Sequence, residues 1–334
     1  MDIVNRLLSS EELSIRYKAQ VQLCGQSEDS QAIIDLRNNI KQSPRVRTLL
    51  GDRDEEGRIR PIHHVYKKWK GAHWVLASLA DIGYPEKDNE LAPVVEQVFE
   101  CWLNPDYAIK VECGSEMPPK KYRGVPYING RARRCASQQG NALFATSRLG
   151  FVDDRSAQLA EFLMGWQWPD GGWNCDRKPE ACNSSFWESL TPLRGLAEYS
   201  RRTGDAKVRN AVERTAELFL KRKLFRRVSN SEVMHPEFLT LHYPCYWYYD
   251  ILFGLKVMAE CGLITDPRCE EALDVTESKK LPDGGWAAEA RFYRSLDKDV
   301  SGSERVNWGV VSKTKMNEWV TVDALYVLKA AGRL

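Results

Sequence analysis

The sequence predicts an all-α chain in which apolar and amphipathic helices alternate. Strand-like runs are sparse, apolar helical segments recur roughly every 45–70 residues, and two of the connecting loops are near-copies of each other. The chain has 334 residues, of which 43% are hydrophobic and 11 are Trp, so it can bury a large core. This composition excludes a disordered chain.

Five segments have the pattern of helices that are apolar nearly all round, which is typical of helices buried on both sides. They cover residues 71–83, 140–150, 184–199, 246–262 and 318–332. The first of them ends at Gly83, the residue type favoured just beyond a helix C-terminus. We therefore predict that these segments form an inner layer.

Amphipathic helices of an outer layer are predicted between them, since each keeps one apolar face. They cover residues 93–103, 155–167, 206–221 and 267–279, and the N-terminal stretches 11–24 and 30–42 supply a sixth pair. We predict about six inner and six outer helices in a single domain over residues 1–334. Within it, residues 1–50 are a weaker repeat and residues 51–334 the clear ones.

The two near-copied loops are Gln167–Trp173 and Lys280–Trp286, and each contains Pro-Asp-Gly-Gly-Trp. Pro-Asp-Gly-Gly is a strong turn signal because both glycines can adopt a positive φ. We expect the Trp after each turn to pack over the end of the preceding outer helix.

The Gln-x3-Gly-x-Trp form at Gln167, Gly171 and Trp173 resembles the QW repeat of squalene and oxidosqualene cyclases. The copy that ends at Trp286 lacks the Gln. The same superfamily of terpenoid cyclases includes the β subunits of protein prenyltransferases. The resemblance implies a single-barrel α/α toroid with inner helices around a central cavity, about half the length of a two-barrel triterpene cyclase.

The segment from Gly171 to Trp187 is similar to one that binds zinc and diphosphate in prenyltransferase β subunits. The resemblance implies that Cys182 is a zinc ligand beside Glu180, and that Arg177 and Lys178 bind a diphosphate. Glu180 stands where the family has Asp, and one residue is inserted before the Phe-Trp pair.

A zinc site of this kind needs another ligand from the next repeat, and His242 or Cys245 can supply it. Thiolate, imidazole and carboxylate ligands suit Zn²⁺ with a fourth position open for catalysis. The alternative is that these cysteines are small buried residues and that His242 is a structural loop histidine.

Polar residues precede each predicted inner helix, and in a toroid these helix starts share one rim. Cys135 precedes the second inner helix and is a further catalytic candidate. Helix N-termini favour anions. Arg134, with Lys120 and Lys121 in the loop ahead of it, is therefore predicted to bind a diphosphate or a carboxylate, or else the loop is simply solvated.

Several aromatic residues fall on the predicted inner helices, where an aromatic wall suits an isoprenoid chain and stabilises a carbocation by cation–π attraction. The predicted substrate-binding residues of this type are Trp74, Trp187, Tyr246, Trp247, Tyr249 and Trp319. The alternative is that they only fill the core.

Squalene cyclases protonate their substrate from an Asp-x-Asp-Asp motif, which this sequence lacks. Asp250 is a lone acid in a predicted inner helix, where burial raises the pKa of a carboxyl group and suits it to general-acid catalysis. Asp250, Glu180 and Cys135 are the catalytic candidates. Hydrogen-bonded structural roles are the alternative.

The resulting functional hypothesis is an enzyme that cyclises or transfers an isoprenoid or similar apolar substrate, with or without zinc, in the central cavity. A non-catalytic lipid- or protein-binding toroid is a second hypothesis. Another α/α-barrel enzyme, such as a polysaccharide lyase, is a third, although the Gly-Gly-Trp loops count against it. The need for a second subunit stays open.

Charge and cysteine content exclude other classes. The 48 Lys+Arg against 46 Asp+Glu leave a net charge of +2, which argues against nucleic-acid binding. No apolar run is long enough for a transmembrane segment or a secretory signal. Peripheral contact is therefore the only kind of membrane association left open. The 9 Cys include no C-x-x-C pair, which favours free thiols in the cytoplasm.

Overall fold

The computed structural model describes residues 2–118, 123–295 and 300–334. Within these ranges thirteen α-helices follow one another along the chain: α1 Ile3–Leu8, α2 Leu13–Lys18, α3 Gln31–Lys41, α4 Pro44–Leu49, α5 Ala72–Ile82, α6 Ala92–Trp102, α7 Ser137–Arg148, α8 Asp154–Trp166, α9 Phe186–Thr203, α10 Ala206–Leu220, α11 Ile251–Glu260, α12 Glu270–Ser278 and α13 Glu318–Ala330. Helix α2 continues as a π-helical turn over Ala19–Leu23. None of the helices described is long and apolar enough to cross a membrane.

The inner helices form a closed ring. Helices α2, α5, α7, α9, α11 and α13 each pack against the next, and α13 packs back against α2. Helices α1, α3, α6, α8, α10 and α12 surround them. Each of these packs against an inner helix or its π-helical extension. The described helices therefore have the two-layer arrangement of an α/α toroid, and the N-terminal pair completes it.

The chain is mostly helical but not all-α, so that prediction was wrong in part. A three-stranded sheet is formed by β1 Lys110–Gly114, β2 Val125–Ile128 and β3 Arg131–Ala132, and a two-stranded sheet by β4 Arg294–Ser295 and β5 Ser303–Glu304. Strands β2 and β3 are antiparallel, with Tyr127 opposite Ala132. Asn129 and Gly130 between them have φ of 49° and 70°. Asn-Gly is the preferred pair for such a two-residue hairpin turn, a signal that the helix-based interpretation missed.

The two Gly-Gly-Trp loops have the same structure. The backbone N–H of Trp168 donates to Gly172 O, and that of Leu281 to Gly285 O, both at 2.8 Å. The indole Nε1 of Trp173 donates to Leu163 O in α8, and that of Trp286 donates to Thr276 O in α12. The prediction that each Trp packs over the end of the preceding outer helix is confirmed.

The inner helix predicted over 246–262 begins later, at Ile251, so Tyr246, Trp247 and Tyr249 lie in the loop before α11. Asp250 is the N-cap of α11, and its Oδ1 accepts the backbone N–H of Phe253 at 2.8 Å. An apolar run cannot by itself distinguish a helix from an extended segment, whereas an Asp at the N-cap marks the helix start.

Buried charges occupy the centre of the ring. Lys18 of α2 and Lys256 of α11 alternate with Asp81 of α5 and Asp323 of α13. The Nζ of Lys18 lies 3.3 Å from Asp81 and 3.1 Å from Asp323, and the Nζ of Lys256 lies 3.0 Å and 2.9 Å from the same two carboxylates. We call these four residues, with Arg194 and Glu260, the central ion network.

Arg194 of α9 extends the network to the rest of the ring. Its guanidinium binds Asp81 at 2.9 Å and Glu260 at 2.7 Å, and lies 3.8 Å from the ring centre of Phe144 in α7. The cations thus balance the anions, and all six inner helices meet there. The network separates a cavity beside the N-terminal halves of the inner helices, the upper cavity, from a lower cavity beside their C-terminal halves.

The network predicts a large loss of stability when one anion is removed. We expect Asp81→Asn to lower the free energy of unfolding by about 3–5 kcal/mol, because it leaves buried cations with too few partners. Asp283→Asn is the control: Asp283 pairs with Arg6 at the surface, so its loss should cost less than about 1 kcal/mol. Chemical denaturation of the variants and the parent protein measures both.

The difference in stability between the parent protein and Asp81→Asn depends on pH. Burial opposes ionisation of Asp81, but Lys18, Lys256 and Arg194 outweigh it and hold the pKa of Asp81 well below its usual value. The stability that this carboxylate contributes is therefore present above about pH 4 and is lost as the pH falls through the folded-state pKa. We expect the difference between parent and Asp81→Asn to shrink on acidification below about pH 4. A pH-independent difference would contradict this account.

Candidate functional site

The upper cavity has a charged floor, an aromatic and aliphatic wall, and a polar rim. Its floor is formed by the central ion network. Its wall includes Tyr243, Tyr246, Leu252, Phe253 and Trp308, and its rim is formed by His242, Cys245 and Asp250. The free volume is about 60 Å³, which holds only a few water molecules. In this conformation the upper cavity is therefore too small to hold an isoprenoid chain.

His242 and Asp250 form a fully buried pair at the rim. The Nδ1 of His242 lies 2.8 Å from Oδ2 of Asp250, and the same oxygen accepts the backbone N–H of His242 at 3.0 Å. With the N-cap bond to Phe253, this carboxyl group accepts two backbone hydrogen bonds and also faces the imidazole Nδ1, so both of its oxygens are engaged. The prediction of Asp250 as a general acid is thus not supported by its contacts: it caps α11 and orients the imidazole.

The other ring nitrogen of His242 has no hydrogen-bond partner among the described residues. Its Nε2 is buried and makes no hydrogen bond with any described residue. Since Nδ1 faces Asp250 and Thr240 O, the proton is assigned to Nδ1, which leaves Nε2 as an acceptor. A buried, unpaired basic nitrogen at a cavity is a feature of acid–base and metal-binding sites.

Cys245 completes a possible zinc donor set. Its Sγ, a His242 ring nitrogen and an Asp250 oxygen all lie within 4.8 Å of one another. Burial, with the nearby charge of Asp250, raises the pKa of Cys245 well above its usual value, so this group is a thiol unless a metal replaces its proton. Imidazole, thiol and carboxylate groups suit zinc. The unpaired Nε2 of His242 is a free electron-pair donor that can bind such an ion. Cys182 is exposed and belongs to no such group among the described residues, which corrects its assignment as a ligand with His242.

A second cluster was only partly foreseen. Cys135, Cys175 and Glu188 also place one thiol or carboxylate atom each within 4.8 Å of one another. Glu188 lies in the first turn of α9, and its Oε2 accepts from the backbone N–H and the hydroxyl of Ser137 at 3.2 and 2.7 Å. Cys135 was predicted from the sequence, whereas Cys175 and Glu188 were not, although Cys175 directly follows a Gly-Gly-Trp loop.

The electrostatics of the second cluster differ between its two thiols. A hydrogen bond from Cys175, aided by the positive charges of Arg134 and Arg177, lowers the pKa of Cys135. That bond, burial and Glu188 raise the pKa of Cys175. Burial raises the pKa of Glu188, against hydrogen bonds from Ser137 and other donors. Cys135 is therefore the more acidic thiol.

Of the predicted substrate-binding aromatics, only Tyr246 is among the described residues that line the upper cavity. Its ring stacks on Trp69 with centroids 4.4 Å apart, and its hydroxyl bonds to Glu304. Trp187 and Trp247 contact each other at the rim, 5.3 Å between centroids.

The other three aromatic residues are core residues. Trp74 and Trp319 are 2% exposed, and Trp319 stacks behind Tyr243 at 4.9 Å. The hydroxyl of Tyr249 donates to Leu224 O at 2.6 Å, and its ring packs on Phe219 of the outer layer. None of the three is among the described residues that line the upper cavity. Trp74 packs against Tyr66 and Trp69, and Trp319 packs against Tyr243 and Trp308. Their prediction as substrate-binding residues is therefore not supported by their contacts.

The predicted anion-binding residues do not converge on the upper cavity. Arg177, Lys178 and Glu180 are exposed on the loop after Trp173. Arg134 lies 4.5 Å from the ring centre of Tyr107 and is about 6 Å from those of Trp102 and Trp166. Lys120 and Lys121 lie outside the described residues.

Comparisons with known proteins identify no family. No protein-family model matches the chain, and no curated protein matches it by sequence. Among solved structures, the type II terpene cyclase MstE from Scytonema is similar at 13% identity and a TM-score of 0.29, over 90% of this chain and 99% of that one. An MstE variant in complex with geranylgeranyl dihydroxybenzoate gives 13% identity and a TM-score of 0.28. TM-scores this low do not establish a shared fold, so the chemistry of this chain is inferred from its own residues.

The core position of Tyr249 predicts a stability effect. We expect Tyr249→Phe to cost about 1–3 kcal/mol of unfolding free energy, because it leaves the buried carbonyl of Leu224 without its donor. Tyr248→Phe in the same loop is the control, since the Tyr248 hydroxyl makes no hydrogen bond with any residue described. Equal effects of the two substitutions in thermal or chemical denaturation would contradict this assignment.

Proposed function

We propose that the chain is an enzyme that acts on an isoprenoid or similarly apolar small molecule at the upper cavity, with His242 as the proton-transfer residue. The resemblance of its repeat loops to those of terpenoid cyclases and prenyltransferase β subunits supports the substrate class. The observation that carries the proposal is the unpartnered Nε2 of His242.

The pair of His242 and Asp250 is arranged for proton transfer. Asp250 holds Nδ1, which fixes the ring orientation and stabilises the imidazolium when Nε2 takes up a proton. Nε2 is then the atom that removes a proton from the substrate or returns one to it. Asp250 does not touch the substrate in this scheme and is a positioning residue.

The wall of the cavity supports an apolar ligand. Tyr243, Tyr246, Phe253 and Trp308 present ring surfaces that bury hydrocarbon and attract positive charge. Because the free volume is about 60 Å³, a ligand of isoprenoid size requires the loop of residues 242–249 to move outward. The central ion network sets the depth to which such a ligand reaches.

A second candidate function is zinc-assisted transfer, which the donor set of His242, Cys245 and Asp250 favours. These three residues would hold the ion, and zinc would supply Lewis-acid activation of a substrate thiol or oxygen. In that case Cys245→Ser abolishes both turnover and the metal bound at this rim. In the proton-transfer scheme, turnover does not depend on added zinc.

The test uses the full chain with geranylgeranyl diphosphate and with squalene as probes, and detects products by gas chromatography and mass spectrometry. We expect His242→Gln to lower turnover about 100-fold or more, because it removes the proton acceptor while leaving a side chain of similar length. His235→Gln, at an exposed histidine of a neighbouring loop, is the matched control and should keep full turnover. Circular dichroism checks that each variant folds.

Three results would overturn the proposal. Unchanged turnover in His242→Gln would exclude the histidine as the proton-transfer group. If the parent protein binds a probe but forms no product, the enzyme proposal is excluded and a non-catalytic lipid-binding ring is favoured. If it binds neither probe, the enzyme proposal is also excluded.

A further inference from the structure

The second cluster, formed by Cys135, Cys175 and Glu188, lies outside the upper cavity and has no part in the proposed function. We propose that these three residues bind one Zn²⁺ ion at the rim of the ring and leave one coordination position open. The inference stands on the geometry of this cluster and holds whether or not His242 is catalytic.

The distances match a tetrahedral zinc site. The Sγ of Cys175 lies 3.7 Å from Oε1 of Glu188. Zinc bonds of about 2.3 Å to sulfur and about 2.0 Å to oxygen, at a tetrahedral angle, place the two ligand atoms about 3.5 Å apart. The Sγ of Cys135 is within 4.8 Å of the Cys175 Sγ and of a carboxylate oxygen of Glu188. An ion at the centre of the three therefore needs only small side-chain rotations.

Glu188 is held in place as metal ligands usually are. Ser137 donates to Oε2 through its backbone N–H and hydroxyl, while the indole of Trp247 donates to Oε1 at 3.2 Å. Ser137 occupies both lone pairs of Oε2, so Oε1 is the oxygen left to ligate an ion, and its second lone-pair direction faces the Cys175 thiol. Such outer hydrogen bonds orient a ligating carboxylate before the ion arrives.

The charge balance also permits a bound cation with thiolate ligands. Two atoms of the Arg134 guanidinium, Nε and Nη2, are buried without a hydrogen-bond partner among the described residues. Its charge interacts with Cys135 and Glu188. Binding replaces the two thiol protons, which go to solvent, with one divalent ion, so the net charge of the cluster with Arg134 stays at zero. The buried guanidinium therefore faces a site of net charge −1 in both states.

The cluster joins parts of the chain that are distant in sequence. Cys135 precedes α7, Cys175 follows the Gly-Gly-Trp loop, and Glu188 begins α9. Both thiols are partly exposed, unlike the buried Cys269, so an ion can reach them from solvent. Two thiols and one carboxylate favour zinc over magnesium or calcium, and three protein ligands leave a fourth position for water or a substrate atom.

The test titrates the reduced, metal-free protein with Co²⁺ as a spectroscopic substitute, then with Zn²⁺. We expect thiolate-to-cobalt charge transfer and the intense d–d bands of tetrahedral cobalt, and a rise in the unfolding temperature when Zn²⁺ binds the folded state. Cys135→Ser and Cys175→Ser should each lose one equivalent of metal, and Glu188→Gln should weaken binding. Cys182→Ser, an exposed cysteine of the same loop, is the matched control and should bind normally.

A variant of the other cluster separates the two sites. Cys245→Ser should keep the equivalent that depends on Cys135. The proposal is overturned if Cys245→Ser removes that equivalent, if Cys135→Ser binds as much cobalt as the parent protein, or if the reduced protein shows no thiolate-to-cobalt band. Rapid formation of a Cys135–Cys175 disulfide in air, together with no metal uptake after reduction, would identify the pair as a redox couple instead. Circular dichroism checks that the serine variants fold.

Discussion

The charges at the centre of the ring are the constraint on which the rest of the structure depends. Buried cations and anions are tolerated only when they are paired, so the helices that carry Lys18, Asp81, Lys256 and Asp323 must stay within ion-pair distance of one another. This requirement holds the ring closed between its first and last inner helices. It also fills the axis that an apolar substrate would otherwise occupy.

The network therefore confines the candidate chemistry to one end of the ring. Both clusters combine a carboxylate at the start of an inner helix with thiols from the preceding loops. Asp250 caps α11 beside Cys245, and Glu188 lies in the first turn of α9 beside Cys135 and Cys175. The carboxylates suit these positions because helix N-termini stabilise negative charge. His242 distinguishes the first cluster, since it alone adds an imidazole with a free nitrogen.

Local patterns predicted the helices and the loop structure well, because those depend on neighbouring residues. The apolar segments became inner helices, and the Trp indoles cap the outer helices as expected. The predictions failed where a long-range partner decides the outcome. Tyr249 has the same local character as Tyr246, but one bonds to Leu224 in the core and the other lines the cavity. Nothing near either residue in the sequence distinguishes the two.

The candidate sites show the same division. His242, Cys245 and Cys135 were identifiable by residue type and by their positions before predicted inner helices, and Asp250 was identifiable as a lone acid within an apolar segment. Which of them lie together was not, because Cys182 is in the same loop as Cys175 and yet is exposed. By itself the sequence determined the alternation of helices and the turns between them, since periodicity and turn chemistry are local. Only the tertiary structure decided that charge occupies the axis and which thiols meet a carboxylate, since ring closure brings together residues from distant repeats.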